Sequence, residues 1–497
     1  MKFSRTTQTT TLRGYGAARR WPMLRKLAVS VAFATLASGA AQAQTEANPD
    51  ATSDAAEADL AIQAQPAGFW TGLWSRQNLL GDMGGLRPWL GQYGVSLQLT
   101  ETSEYLANLR GGLARGGAYD GLTTATLQMD TSKALGVPGG LFNISALQIH
   151  GSDLSESHLG TLNTASGIEA AASTRLWEMW YQQSFLDKKV DVKVGQQSLD
   201  QEFMTSQYAA LFVNTMFGWP ALPSYDLPSG GPAYPLAGLG VRVRGQLSHS
   251  VTGLFGVFDG DPQGNDPTNL SGTNFNLHNG SLLIGELQYA VNQPAEGDLV
   301  RAGGGGLPGT YKLGFWYNTD SFADQRFDNT GLSLANPAST GVPAQHHGNY
   351  SIYAVADQMV WRPDPDGARS IGVFARVMGA PGDRNLVDLS ANAGIVMKAP
   401  FAGRDNDSVG LGLSYIKISN AVNGLDLDHG FYLNVPYGVR TQETALEATY
   451  QYQVTPWWQL QADAQYTFNA GAGQNPQNPQ VALRNTFVVG MRTNITF

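Results

Sequence analysis

Nine charged and aromatic residues fall at spacings that could hold a polar solute. Arg242 and Arg244 alternate with Val241 and Val243, and Asp191 and Lys193 lie between Val190, Val192 and Val194. In an extended chain successive side chains point to opposite faces, so each charged pair shares one face and the valines the other. Glu178 and Trp180 share a face by the same count, and Glu286, Trp316 and Arg376 lie on the polar side of their own alternating stretches. Charged groups of this kind make bidentate hydrogen bonds to hydroxyls, and aromatic faces give weakly apolar C–H surfaces something to slide on. Opposed acids and bases across a narrow passage would also set a transverse field. A solute that must leave again calls for weak, multiple contacts. Taken singly, each of these residues also reads as an ordinary wall charge hydrated by water.

Other constellations carry less chemistry. His346 and His347 are adjacent, so on a strand they face opposite ways and make a poor metal pair. Asp364-Pro365-Asp366-Gly367 reads as a tight turn rather than a calcium loop. Asp259-Gly260-Asp261 could bind calcium in a loop. The glycines near 81–94 do not form a phosphate loop, and no G-x-S-x-G is present. Cysteine is absent, which excludes disulfides, thiol nucleophiles and zinc–thiolate sites. No metal, cofactor or catalytic residue is expected. Serine and histidine are available for a hydrolase, but no spacing favours one.

The elements that must position the nine residues are strands. The last stretch, NTFVVGMRTNITF at 485–497, alternates with period 2 and ends on an aromatic. A long uncapped edge strand is an aggregation hazard in water, and the hazard disappears if the last strand pairs with the first and closes a barrel. Alternation marks further strands at 95–106, 121–130, 141–152, 174–185, 190–197, 239–246, 251–258, 282–289, 310–319, 350–361, 370–378, 386–397, 407–418, 442–454 and 458–468. That makes about sixteen, an even number as a closed bacterial barrel requires. A short helical turn is expected at 86–92.

The connections obey a parity test. With the C-terminus in the periplasm, 455–457, 363–369, 246–250, 186–189 and 133–140 are short and fall on the periplasmic side. Stretches 469–484, 419–441, 320–349, 259–281, 198–238 and 153–173 are long and fall outside. Two depart from the rule: 291–309 is long for a periplasmic turn and 379–385 short for an outer loop. In 458–468 one face is Trp, Leu, Ala, Ala, Tyr, Phe and the other Gln, Gln, Asp, Gln, Thr, and 442–454 sets Glu443 and Glu447 against Leu446 and Tyr450. A carboxylate facing lipid is costly, so the polar face is expected inward, towards a wet lumen. Trp457, Trp458, Tyr466 and Phe468 suit aromatic girdles.

The first residues read as a leader. Seven basic residues and no acid precede Glu46, 27–37 is apolar, and Ala41-Gln42-Ala43 fits a cleavage site, giving a signal peptide at 1–43. Removing it leaves 24 basic residues against 40 acidic, so no basic patch argues for nucleic acid. Charged residues are 14% of the chain, below the roughly 25% of soluble domains. No later apolar run is long enough for a membrane helix, whereas low charge, many aromatics and alternation fit a transmembrane barrel. The expected organisation is a leader at 1–43, a flexible periplasmic segment at 44–94 and an all-β, antiparallel transmembrane barrel at 95–497.

Four blocks resemble the carbohydrate-selective porins of the OprB type: LGDMGGLRPWL at 80–90, RLWEMWYQQSFLDKKVDVKVGQQSLDQEF at 175–203, PLAGLGVRVR at 235–244 and RTQETALEATYQYQVTPW at 440–457. The resemblance implies a sixteen-stranded outer-membrane channel passing sugars, monosaccharides such as glucose among them, by passive diffusion. It makes the proline-rich loop at 198–238 the candidate for folding inward, stiffened by Pro220, Pro223, Pro228, Pro232 and Pro235. The expected partners are carbohydrate solutes and outer-membrane lipid, with a homotrimer as the assembly to test. One stretch departs from the family. Where relatives tend to carry charged lumen residues, this chain reads Leu147-Gln148-Ile149-His150, so the family's sugar preference is not carried over intact. Two other readings compete: a general porin with little selectivity, and an enzyme or adhesin on a barrel scaffold.

Overall fold

The alternating stretches pair edge to edge until no edge is left. In the computed structural model the described residues are 71–497, apart from 265, 267, 276, 293–305 and 366. The leader expected at 1–43 and the following residues to 70 lie outside them. Sixteen strands are present: β1 Val95–Arg110, β2 Gly116–Asp130, β3 Gly140–Gly151, β4 Ser173–Phe185, β5 Val190–Gln197, β6 Gly238–Gln246, β7 Val251–Asp259, β8 Ser281–Val291, β9 Gly309–Asp328, β10 Pro343–Trp361, β11 Ser370–Gly379, β12 Val387–Lys398, β13 Ser408–Ile418, β14 Gln442–Thr455, β15 Trp458–Phe468 and β16 Thr486–Thr496. Each is antiparallel to its sequence neighbours, and β16 returns to β1, with Thr496 opposite Thr100 and Val489 opposite Ala107. The closure satisfies the edge that the C-terminal strand would otherwise present. A short helix, α1 (Leu86–Gln92), forms where the helical turn is expected, and Arg87 on it donates to a backbone oxygen of Phe497. No helix among the described residues is long and apolar enough to cross a membrane.

Period 2 sets the two faces of the wall. On β13, Val409, Leu411 and Leu413 are exposed on the outer face, while Ser408, Gly410, Gly412 and Ser414 are buried inside. Elsewhere outward positions are again apolar, such as Phe255, Leu313, Phe315, Ile352, Val377 and Ile395. This band is what a lipid-facing barrel wall requires.

Three features differ from the sequence reading. First, β9 and β10 run well past 319 and start well before 350. His346 pairs with Phe322 and Gln345 with Ala323, so much of the expected outer loop is a protruding hairpin. Second, the connection at 419–441 holds a helix of 14 residues, α2 (Asn420–Leu433), capped by the Ser419 hydroxyl on Val422 N and closed by Asn434 in the left-handed region. Its asparagines and Gly424 have weak helix propensity, and they masked it. Third, the lumen is not simply wet. The connection at 198–238 between β5 and β6 folds into the barrel as the resemblance implied, but it fills the lumen with apolar side chains, and the connection between β3 and β4, read as an outer loop, joins it. Leu199, Phe203, Met204, Met216 and Leu222 bury themselves against Leu254, Ile284, Trp316, Tyr353, Ile416 and Ile418 of the wall. Each such side chain contributes about 1.5–3 kcal/mol by leaving water, so a loop this apolar is far more stable inside than outside.

Candidate functional site

The inward loop needs both room and anchors, and the wall supplies them. Room comes from glycines on β11 and β13. A Cβ on Gly372 would overlap the Tyr208 ring. One on Gly410 would lie 2.8 Å from Leu211 and 2.9 Å from Phe212, and one on Gly412 2.7 Å from Phe217. The loop's rings nest there, with Phe212 and Phe217 centroids 4.5 Å apart and Phe374 of β11 completing the cluster.

The anchors are inward polar side chains with no opposite charge directly across the sheet. Glu286 of β8 stands opposite Leu254 and Gly314, and Glu447 of β14 opposite Gly412 and Gln465. A buried carboxylate must be hydrogen-bonded, and here the donors are loop amides. Glu286 accepts from Met204 N at 2.8 Å and from the Tyr353 hydroxyl at 2.9 Å. Asp357 of β10 accepts from the Ser206 hydroxyl at 2.6 Å and from Gln207 N at 3.2 Å. Glu447 takes Val213 N at 2.6 Å and Asn214 N at 3.0 Å. Glu443 does the same for the other inward loop, accepting Asn163 N at 2.6 Å and Leu162 N at 3.1 Å. The two loops join through Gly167 N to Val213 O at 2.9 Å and Thr215 N to Thr164 O at 3.1 Å.

Arg376 of β11 is the counterpart cation. It donates to four loop carbonyls: Met204 at 2.8 Å, Gly218 at 2.9 Å, Met216 at 2.6 Å and Phe217 at 3.1 Å. Its Nε reaches Asn392 Oδ1 at 3.1 Å. The fork of the guanidinium thus ties Met204 to the Met216–Gly218 turn, which a point charge could not do.

The opposite wall, β4 to β6, carries the charged cluster. Lys193 and Arg242 stand directly opposite each other, as do Asp191 and Arg244. Like charges directly opposite repel, so the Lys193–Arg242 pair needs an acid between them. Glu202 of the inward loop supplies it, contacting Lys193 and lying 2.6 Å from Arg242 Nε, while Asp191 contacts Arg242 from the other side. Burial pushes the Glu202 carboxyl up, but Lys193 and Arg242 more than offset this and bring it down to about 2. Trp180 lies under the Lys193 ammonium at 4.4 Å, a cation–π contact. Glu178 accepts Ser198 N at 3.0 Å, where the loop leaves β5.

All nine residues singled out from the sequence point inward, yet the structure divides them. Trp316, Arg376 and Glu286 are 0%, 2% and 4% exposed beneath the loop, so they do not face open water as expected of lining residues. The alternation gave their direction but not what covers them. Trp180, Asp191, Lys193 and Arg242 are buried in the charged cluster. Glu178 is half-buried at its margin, and the Arg244 side chain keeps 34% of its surface open, 3.9 Å from Asp191. Glu202, Asp357, Glu443 and Glu447 were not singled out. For the three wall acids, Asp357, Glu443 and Glu447, the signal was an inward acid lacking a cation opposite, which implies donors arriving from elsewhere, whereas Glu202 lies in the connection after β5, where no strand register marks it.

A closed sixteen-strand barrel with an apolar outer band, narrowed by loops bolted to its inner wall, is the architecture of an outer-membrane diffusion channel. Residues 114–497 match the family described as carbohydrate-selective porin, OprB family. The chain belongs to that family and resides in the Gram-negative outer membrane. It is 27% identical over 434 residues to Porin B of Pseudomonas aeruginosa, covering 81% of this chain and 89% of that one. It is 26% identical over 420 residues to the putative porin QuiX of Acinetobacter baylyi, covering 80% and 89%. Among solved structures, OprB of Pseudomonas putida at high pH superposes with a TM-score of 0.74 at 22% identity, covering 86% of this chain and all of that one.

Proposed function

We propose that this carbohydrate porin passes small sugars, monosaccharides such as glucose, by passive diffusion past the β4–β6 charged cluster. The observation that carries the reading is the inward loop, held on one side by Arg376, Glu286, Asp357 and Glu447 and on the other by Glu202 between Lys193 and Arg242. A loop fixed at both walls keeps the passage narrow. Arg244, whose side chain keeps 34% of its surface open, offers a fork of donors to sugar hydroxyls, with Asp191 3.9 Å away as the nearby acceptor. Trp180, Lys193, Asp191 and Arg242 set the field and shape of that side, while Glu286, Trp316 and Arg376 act through the loop they hold. The protein acts as a channel, and none of these groups is assigned a reaction.

The test is solute entry into proteoliposomes carrying the full-length protein. Glucose should enter much faster than an organic acid of similar size, and Arg244→Ala should slow glucose while sparing small ions. Equal rates for both solutes would instead favour the general-porin reading.

A further inference from the structure

The residues before β1 lie on the outer face of the barrel. Inward Thr100, Thr102 and Glu104 leave Leu97 and Leu99 of β1 pointing outward, and inward Arg492 and Asn494 do the same for Ile495 and Phe497 at the end of β16. Leu79, Leu80 and Met83 pack on these outward side chains and on Ala125 of β2. Under that cover Leu99 is 5% and Phe497 9% exposed, although both belong to the lipid-facing side. Hydrogen bonds carry the segment across the seam where the barrel closes. Trp457 Nε1, at the β14–β15 turn, donates to Leu73 O at 2.7 Å, Leu79 N to Thr496 O at 2.8 Å, and Asp130 N of β2 to Gly94 O at 2.8 Å. Arg87 adds its bond to Phe497 and one to Gly81 O at 3.0 Å. Away from the wall the segment shows large apolar side chains. Leu86, Trp89, Leu90 and Tyr93 recur at spacings of three and four along α1 and its end, which makes one stripe. Leu86 is exposed, Trp89 and Tyr93 keep 53% and 55% of their surface open and Trp74 69%, and the Trp89 and Tyr93 rings meet edge to face at 5.5 Å.

We propose that residues 71–94 form an interfacial strap, lying in the headgroup layer of the periplasmic leaflet with Trp74, Leu86, Trp89 and Tyr93 in contact with phospholipid. The occupant is a lipid surface because the strap sits on the lipid-facing side of the wall, so its exposed face continues the apolar band. This end carries the short turns at 186–189 and 455–457, which sets it at the periplasmic leaflet. Indole and phenol rings join an apolar body to a polar tip and collect at that depth, and a helix with one apolar stripe lies in the plane of the interface. The charges stay out of the stripe: Arg76 donates to Leu79 O and Arg87 to Phe497. The strap also does for the last strand what a following strand would do. β16 ends at Thr496, and a backbone oxygen at membrane depth must be hydrogen-bonded. Leu79 N and Arg87 bring donors to Thr496 and Phe497.

The chain has no cysteine, so single nitroxide labels on the full-length protein report position cleanly. Trp89→Cys, Ile352→Cys on the lipid-facing band and Gln477→Cys in an exposed connection would be labelled in phosphatidylethanolamine–phosphatidylglycerol vesicles. Oxygen and a water-soluble nickel chelate would be compared as relaxing agents. The proposal expects the label at 89 to favour oxygen, at a depth between those of the labels at 352 and 477. A label at 89 as open to nickel as the one at 477 would place the segment in water, and a label closed to both agents would place it under protein; either result overturns the proposal. Met83→Ser combined with Arg87→Met is expected to release the strap, so that the label at 89 gains nickel access and the heat-modifiable band converts at a lower temperature. A folded double variant with unchanged label access and unchanged conversion temperature would overturn the contacts proposed to hold the strap. If the double variant does not fold, the three labels on the otherwise unaltered chain still decide the lipid contact.

Discussion

Replacing Arg376 by methionine should loosen the inward loop around Met204 and Met216–Gly218 while leaving the barrel intact. The side chain is 2% exposed and its loop contacts are to four carbonyls. Hydrogen bonds from a charged donor contribute about 1.5–3 kcal/mol each, but water entering the channel would re-satisfy some of the carbonyls. A net loss of about 3–5 kcal/mol, the usual effect of removing one partner of a buried charged interaction, is the reasonable figure. At about 1.4 kcal/mol per tenfold, the ratio of docked to undocked loop falls by roughly two to three and a half orders of magnitude. Single-channel recording should show larger, noisier steps and lost glucose block, and Arg376→Lys should rescue little because an ammonium cannot span Met204 and Met216–Gly218. Wild-type step size and block in folded Arg376→Met would show that the loop stands without this anchor, and the reasoning would fail.

The remaining predictions probe the other side of the passage and the seat of the loop. Arg244→Ala should weaken glucose block by roughly threefold to tenfold, the loss of about 1 kcal/mol from one partly solvated contact; an unchanged blocking constant would remove Arg244 from the sugar path. Glu202 has its carboxyl lowered from 4.5 to about 2, so its stabilisation of the loop is fully present above pH 4.5 and lost as the pH falls towards 2. Step size in wild type and Glu202→Gln should therefore differ above pH 4.5 and converge near pH 2, whereas curves that already converge at neutral pH would contradict the clamp. Gly412→Leu places side-chain atoms where Phe217 sits, 2.7 Å from even a Cβ, and overpacking of this kind costs about 1–3 kcal/mol. A folded Gly412→Leu barrel with wild-type conductance would deny the ring cradle.

The barrel was legible because its rule is local. Period 2 fixes which side chains face in, and β5 and β15 fall at the residues their alternation marks, 190–197 and 458–468. The direction of all nine candidate residues was legible for the same reason. What covers them was not, because the partners are far apart in sequence: Glu447 meets Val213, and Arg376 meets Met204. The 153–173 connection likewise looked like an ordinary outer loop, since its docking on Glu443 depends on backbone amides that every residue carries. The Leu147–His150 stretch was visible as a departure, but that Leu147 and Ile149 face in while Gln148 and His150 face out needed the register of β3 on β2.

The most direct test of the central claim is planar-bilayer conductance of the full-length protein with glucose titrated into the bath. The account predicts discrete steps that glucose closes in a saturable way at millimolar concentrations, with a charged organic acid far less effective. Steps that no sugar alters would keep the barrel and contradict a sugar-binding constriction held by the inward loop.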